Sequence, residues 1–482
     1  MYVWYNYIRE NQCFQELRKE YSYMSYRVMQ CQIAPDNLIY DYCDSNARKA
    51  KLLYNAALFR IRQIFTGWDK NSRTDNEKEV FAEVDLLQQT YPSIKVKKVI
   101  SYCHLEKLMR VTHNPDFFAG LPSQSAQAVV KHAVTDFSNW LKSLKAYKQD
   151  PSKFLGKPQM PRYQKSDVIT YAITNQDAVL YLTDRGADLK LPRTKGRLHL
   201  SNIEKDSVLK EVKIKPYYGR YILCLTFECG APVANSADMP NICAIDFGVS
   251  NFATIVCNDG SSMLYKGGAV LADCQWFHKQ RAKAVGIITK GHEHMHASSK
   301  YLTSLSRRHA DFIKDQCHKI SRAVINYCIE HRAGTLILGE NKNWKQNSDM
   351  DSQNNQNFVS MPIGLLKQMI IYKAAYAGIK IIIQEESYTS KADITAMDYI
   401  PTYGIDDDKA VFSGNRLKRG RYKCSNGMII NSDCNGAANI MRKAIPDAWN
   451  GITDFSFLVS PEVSGFHELN PLSISVKGIA AA

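Results

Sequence analysis

The sequence predicts an α/β protein built from several domains, and three observations carry that prediction. Apolar residues recur at helical spacing from about residue 35 to 150, and short alternating or apolar runs separated by Gly and Asp turns fill 166–229. From about Asn241 onward, strand and helix patterns alternate. With 482 residues the chain can hold two to four domains.

Ser25 to Ile33 is a short β-like run, after which Ala34-Pro35-Asp36 opens the helical region. Leu53, Ala57, Ile61 and Phe65 fall four apart on one helix face, the spacing of a core stripe. Arg48, Lys51 and Arg62 lie elsewhere on the same helix, where they can meet phosphate. Helical patterns continue to about Tyr147, interrupted by the polar run Asn71 to Asp75 and by Asn114-Pro115-Asp116. Between Lys131 and Lys165, eight basic residues stand against two acidic ones, around Pro151, Pro158 and Pro161. Lys157, Arg162 and Lys165 make this either a nucleic-acid-facing segment or a solvated charged surface. The runs Val168 to Ile173, Ala178 to Leu182, Ser207 to Ile214 and Tyr218 to Phe227 then read as a small β-barrel.

Three carboxylates end three separated apolar stretches. Asp246 follows the buried-strand pattern Ile242, Ala244, Ile245, and a second run from Phe252 to Cys257 ends at Asn258-Asp259-Gly260, which is hairpin syntax. Glu340 follows Gly339 at the carboxyl end of a strand over Thr335 to Leu338, where α/β sheets place ligands. Asp433 follows Ile429-Ile430 and opens a helix from Asn435 to Lys443. Alone, each acid could equally be a helix cap or turn residue. Together they suit phosphodiester hydrolysis, which needs several carboxylates on rigid elements to hold two hard cations. Between them, Phe312, Gln316, Ile320, Val324 and Cys328 mark one side of a helix; residues 362–377 form another between Pro362 and Gly378, ahead of a strand over Ile379 to Gln384. His292, His294 and His296 have strand-like ligand spacing but sit among Gly, Ser and Lys, so they read as a loop.

Lys and Arg total 62 against 47 acids, giving a net charge of +15 and a pI near 9.1, which suits a polyanionic partner. The 27 tyrosines supply core residues and stacking platforms for unpaired bases. Thirteen cysteines without framework spacing, no leader pattern and no membrane-length apolar run lead us to expect a bacterial cytoplasmic or nucleoid protein with no membrane partner.

DFGVSN around Asp246, LILGE before NKNWKQN at Glu340, and SDCNGAANIMRKA around Asp433 resemble the three RuvC-like motifs of the TnpB proteins of insertion sequences and of the type V CRISPR effector nucleases. LYNAALFRIRQIF, LPSQSAQAVVKHA, KFLGKPQMPRYQK and QEESYTSKAD extend the resemblance, in the right order, over roughly residues 25 to 445. It implies an RNase H-like (RuvC) nuclease domain with a helical recognition lobe and a β-barrel wedge domain. The implied boundaries are 1–34 for an N-terminal extension with the first wedge strand, 35–150 for the helical lobe and 151–239 for the wedge. The nuclease would take 240–386 and 428–446, interrupted by a target-nucleic-acid-binding insertion at 387–427, with 447–482 a C-terminal tail.

The resemblance also implies Mg2+ held by Asp246, Glu340 and Asp433, with Mn2+ able to substitute, a guide RNA with a structured scaffold, and double-stranded target DNA. Arg416 matches an arginine that approaches the scissile phosphate in compact effectors; with Lys418, Arg419 and Arg421 it could equally be part of a phosphate-binding hairpin. One departure stands out. The family's four-cysteine zinc ribbon retains only Cys424, with Asp393 and Ala396 at the first pair and Gly427 at the last position, so no structural zinc is expected. Packing of Tyr399, Ile400, Tyr403, Ile405 and Phe412, or bound nucleic acid, would hold the insertion instead. The expected function is therefore RNA-guided cleavage of DNA beside a short flanking motif, with a guided DNA-binding repressor or a transposition accessory protein of little cleavage activity as the alternative. A cut-and-paste transposase and a junction resolvase fit the lobes less well. Oligomeric state, and transposon against CRISPR origin, are open at this point.

Overall fold

A computed structural model describes residues 25–201, 203, 207–229, 239–291, 297–340, 359–418 and 420–469. The His292 to His296 cluster, Arg419, the NKNWKQN segment and the ends of the chain lie outside the described residues. Two compact units divide between Ala231 and Pro232.

In the first unit, β1 (Ser25–Ile33) precedes helices α1 (Tyr40–Gly67), α2 (Asp75–Thr90), α3 (Tyr102–Val111) and α4 (Ser123–Gln149). The polar interruptions in the sequence are where the helices stop. At Thr74 a capping box starts α2: the Thr74 hydroxyl accepts from the Glu77 amide while the Glu77 carboxylate accepts from the Thr74 amide. Leu53, Ala57 and Ile61 are fully buried along α1, and Phe65 packs edge-on against Phe137 and Trp140.

Strands β2 (Tyr171–Thr174), β3 (Val179–Thr183), β4 (Gly186–Lys190), β5 (Leu198–Leu200), β6 (Val208–Tyr217) and β7 (Arg220–Cys229) complete the unit. They pair as two sheets, in the orders β1-β7-β6-β2 and β3-β4-β5. The expected barrel is thus, among the described residues, a four-stranded sheet with a separate three-stranded one. β1 joins β7 in register from Ser25–Cys229 to Ile33–Tyr221, so a strand preceding the helices is built into the sheet that follows them.

The second unit is organised by one six-stranded sheet. Its strands are β8 (Asn241–Asp246), β9 (Asn251–Cys257), β10 (Ser261–Lys266), β11 (Ala333–Glu340), β12 (Lys380–Glu385) and, later in the chain, Glu462–Ser464. Their order is β12-β11-β8-β9-β10 and then that last strand, which pairs in parallel with β10. Residues 447–464 are therefore part of the fold, since Trp449, Phe455 and Leu458 are also buried.

Side-chain alternation splits the core between the two faces of the sheet. Cys243, Ile245, Leu336 and Leu338 face α5 (Gly268–Ile288), α6 (Lys300–Glu330) and α7 (Ile363–Tyr376). Ala244 and Ile337 face the other way, toward Ile440 and Met441. At the end of the insertion and just past it, β13 (Asn415–Lys418), β14 (Arg421–Lys423) and β15 (Ile429–Asn431) form a small antiparallel sheet that runs into α8 (Ser432–Ala444). The last strand, Glu462–Ser464, is β16, and a short α9 (Phe466–Leu469) follows it.

Candidate active site

β8, β11 and β12 are parallel neighbours, so their carboxyl ends open on one edge of the sheet. That edge is where Asp246, Glu340 and Glu385 end their strands. Leu338 is in register with Ile245, and Glu340 with Glu385. Asp433 arrives from a different direction, in the first turn of α8. The Asn431 side chain caps that helix, accepting from the amides of Asp433 and Cys434 at 2.9 and 3.2 Å.

The helix approaches Asp246 closely because it has a glycine at the contact. A Cβ on Gly436 would stand 2.7 Å from Asp246 Oδ2, a distance no side chain tolerates. Asp433 is oriented from β9 and β10: Asn251 Nδ2 donates to Asp433 Oδ2 at 2.7 Å, and Lys266 Nζ donates to Asn251 Oδ1 at 2.9 Å. On the insertion side, Arg416 Nη2 donates to Ser432 Oγ at 3.3 Å, beside Asp433.

Burial, then the facing charges of Glu386 and Asp433, push the Asp246 carboxyl well above its ordinary range, with Lys367 and Arg416 acting against the rise. The structure thus brings Asp246, Asp433 and Arg416 into one electrostatic neighbourhood. Glu340 joins it through Lys367, whose ammonium faces Glu386, Glu340 and Asp246. Among the described residues, no three His, Cys, Asp or Glu side chains converge as a ready cage for a cation. The donor chemistry nonetheless fits a hard divalent ion, because every acid offers oxygen and the like charges around Asp246 oppose one another until a cation offsets them.

Comparison with known proteins agrees with this architecture. The OrfB_IS605 family model, described as a probable transposase, matches residues 230–345, and the Cas12f1-like TNB domain model matches residues 364–440. Over these residues the chain is similar to TnpB and Cas12f1 proteins. A TnpB-like protein, ORF457, of Acidianus two-tailed virus is 28% identical over 45% of this chain and 45% of its own length. The CRISPR-associated endodeoxyribonuclease Cas12f1 of Sulfoacidibacillus thermotolerans is 31% identical over 31% of this chain and 30% of its own. These matches span less than half of either relative. In a cryo-EM structure of a Cas12f1–sgRNA–target DNA complex, the protein has a similar fold, with a TM-score of 0.51 at 15% identity, covering 83% of this chain and 82% of that one.

The segment matching the TNB domain includes the insertion, which is held differently from the packing expected of it. Tyr399, Tyr403 and Ile405 are exposed rather than packed, at 56, 76 and 81%. Polar staples hold the insertion to α8 and β12 instead. Asn435 and Asn439 of α8 donate to the Ala392 carbonyl, Asn439 also donates to the Thr389 carbonyl, and Arg442 donates to the carbonyl of Asp398. Lys443 reaches Glu385 and the carbonyls of Ser387 and Pro401.

Where TnpB-like proteins place the first zinc cysteine, the buried Asp393 carboxylate accepts from Thr395 N, Thr395 Oγ1 and Ser425 N at 2.9, 2.8 and 2.6 Å. It thereby joins the turns at Thr395 and Ser425, with the buried Cys424 thiol beside it, pushed up to about 12 chiefly by burial. Gly414 leaves room for the Tyr422 ring, whose hydroxyl donates to the Lys391 carbonyl.

The candidate phosphate-binding residues divide by what already engages them. Arg48 is paired with Asp44 at 2.8 Å. Arg62 donates to the Pro161 carbonyl and lies over the Tyr163 ring, tying α1 to the segment that follows the short 3-10 turn Pro151–Lys153. Lys51 is half-buried, whereas Lys157, Arg162, Lys165, Lys418 and Arg421 present exposed side chains.

Sequence reading missed Glu386, Lys367 and the supporting roles of Asn251 and Lys266. Lys367 had a visible signal, a lone cation in the apolar helix IGLLKQMII. Glu386 had a fainter one, since its placement depends on the register between β11 and β12.

Proposed function

We propose that the chain is an RNA-guided DNA endonuclease that cleaves with a single RuvC-like site dependent on Mg2+, for which Mn2+ can substitute. The observation that carries this reading is the meeting of Asp246 and Asp433 across Gly436, beside Arg416, at the carboxyl edge of β8 and β11. In this reading, residues 240–386 and 428–446 form the nuclease core, 387–427 the target-binding insertion, 35–150 the recognition lobe and 151–239 the wedge that grips a structured guide RNA. The relatives' names, an endodeoxyribonuclease and a structure with guide RNA and target DNA, support the choice of substrate.

When bound, divalent cations would supply Lewis acidity and a nucleophile at the scissile phosphate. Asp246, Glu340 and Asp433 would hold them, and Asn251 with Lys266 fixes the rotamer of Asp433. Arg416 offers a guanidinium from the insertion to a non-bridging phosphate oxygen, where charge builds in the transition state.

The test is cleavage of a matching duplex by the protein–guide complex in Mg2+, with and without chelator. Guide-dependent cutting that Asp433→Asn removes supports the reading. Guide-dependent binding with no cutting in either protein would make the chain a guided DNA-binding protein, and cutting without RNA would make it an unguided nuclease.

A further inference from the structure

Glu386 belongs to none of the three motifs, yet it lies closer to their meeting point than its place in the sequence suggests. It follows β12, and its amide donates to the Glu340 carbonyl at 3.3 Å, which carries the strand pairing one step past the end of the sheet. Its side chain turns inward: a Cβ on Gly339 would meet Glu386 Oε2 at 2.5 Å and the Ile245 carbonyl at 3.3 Å. The carboxylate therefore lies over the backbone of β11 and β8, between the strand ends that carry Glu340 and Asp246.

The neighbouring groups account for its position. Lys367 donates its ammonium to the Gly339 carbonyl, stands 4.9 Å from the centre of the Phe247 ring, and faces Glu386 from the helix side. Glu385, the adjacent acid, is engaged elsewhere by Lys443 at 2.7 Å. Burying two like charges together is costly, and one lysine shared among three acids offsets only part of that cost. Glu386, Glu340 and Asp246 would therefore favour a divalent cation at this edge, which would offset the remainder.

We propose that Glu386 is a fourth carboxylate of the candidate cation centre, drawing a divalent ion to Asp246 from the β12 side, with Lys367 as the residue that positions it. The proposal rests on the nuclease reading of the site. Its test measures Mn2+ binding by the full-length protein, titrating free Mn2+ by electron paramagnetic resonance, for the parent, Glu386→Gln and Asp246→Asn. Glu386→Gln should weaken Mn2+ binding roughly tenfold, and Asp246→Asn at least as much.

Parent-like binding by Glu386→Gln, with binding lost in Asp246→Asn, would overturn the proposal and leave the three-acid site standing. Parent-like binding by both would overturn the site itself. Should Glu386→Gln fail to fold with Lys367 left unpaired, the double variant with Lys367→Gln removes both charges. Measured against Lys367→Gln alone, a tenfold loss in the double variant supports the role of Glu386, and equal binding by the two overturns it.

Discussion

Asp246 and Asp433 reach the same place by different means, one at a strand end and one in the first turn of a helix, and their supports differ accordingly. Replacing Asp246, Glu340 or Asp433 by alanine should abolish cleavage and leave guided DNA binding largely intact, measured as cut product and as retention of labelled target. Asn251→Ala should be milder. It removes the amide that fixes Asp433 but leaves the acid, so a loss of roughly 10- to 100-fold in cleavage is expected, with a matching loss of Mn2+ affinity. Unchanged Mn2+ binding would show that Asn251 serves the fold alone. Arg416→Ala separates two roles for the guanidinium: slowing of about 10²-fold or more with binding retained means transition-state stabilisation, and equal losses in both mean strand holding.

The insertion is the element held at Asp393 by hydrogen bonds to the turns at Thr395 and Ser425. Burial alone would raise the Asp393 carboxyl, but the amides of Ser425 and Thr395 and the Thr395 hydroxyl outweigh it and hold it below its ordinary value. A carboxyl lowered by folding stabilises fully above its unfolded value, about 3.9, and that contribution is lost as pH falls through the lower folded value. Asp393→Asn places an amide against a backbone donor and should cost about 1–3 kcal/mol. In thermal melts the gap between parent and variant should be full near neutrality and should close in acid, and elemental analysis should find less than one zinc per chain.

How legible this was in the sequence depended on how local each signal was. The strand ends at Asp246 and Glu340, the core stripe of α6 and the stops of α7 at Pro362 and Gly378 follow from spacing and turn chemistry within a few residues. The missing zinc ligands could be seen by comparing positions with the family's pattern, but the Asp393 clip could not, because its donors are set by how two turns meet. Exposed Tyr403 and Ile405 were misjudged as packing because apolar character says nothing about which side of an insertion is covered. The resemblance implied that Ser25–Ile33 is the first wedge strand, but its register with β7, and the pairing of β16 with β10, join segments far apart in the chain and leave no local trace.

At the scale of the whole molecule, the net charge of +15 would govern the proposed association with nucleic acid. Purified protein should carry a structured RNA, and the affinity for it should fall steeply as salt rises, since each released counterion adds to the slope; a shallow dependence would argue against a phosphate-dominated interface. That dependence on charge affects how a non-cutting form is best made. Every acid-to-alanine exchange in the site also makes the protein more positive where the proposed DNA substrate would lie, so altered binding and lost chemistry would be entangled. Gly436→Ala is different: its methyl group would crowd Asp246 Oδ2, which a Cβ would approach to 2.7 Å, and would move the carboxylate without changing a single charge. A programmable DNA-binding protein made this way would keep the electrostatic field of the cutting enzyme, and any remaining difference between the two forms could be credited to cleavage alone.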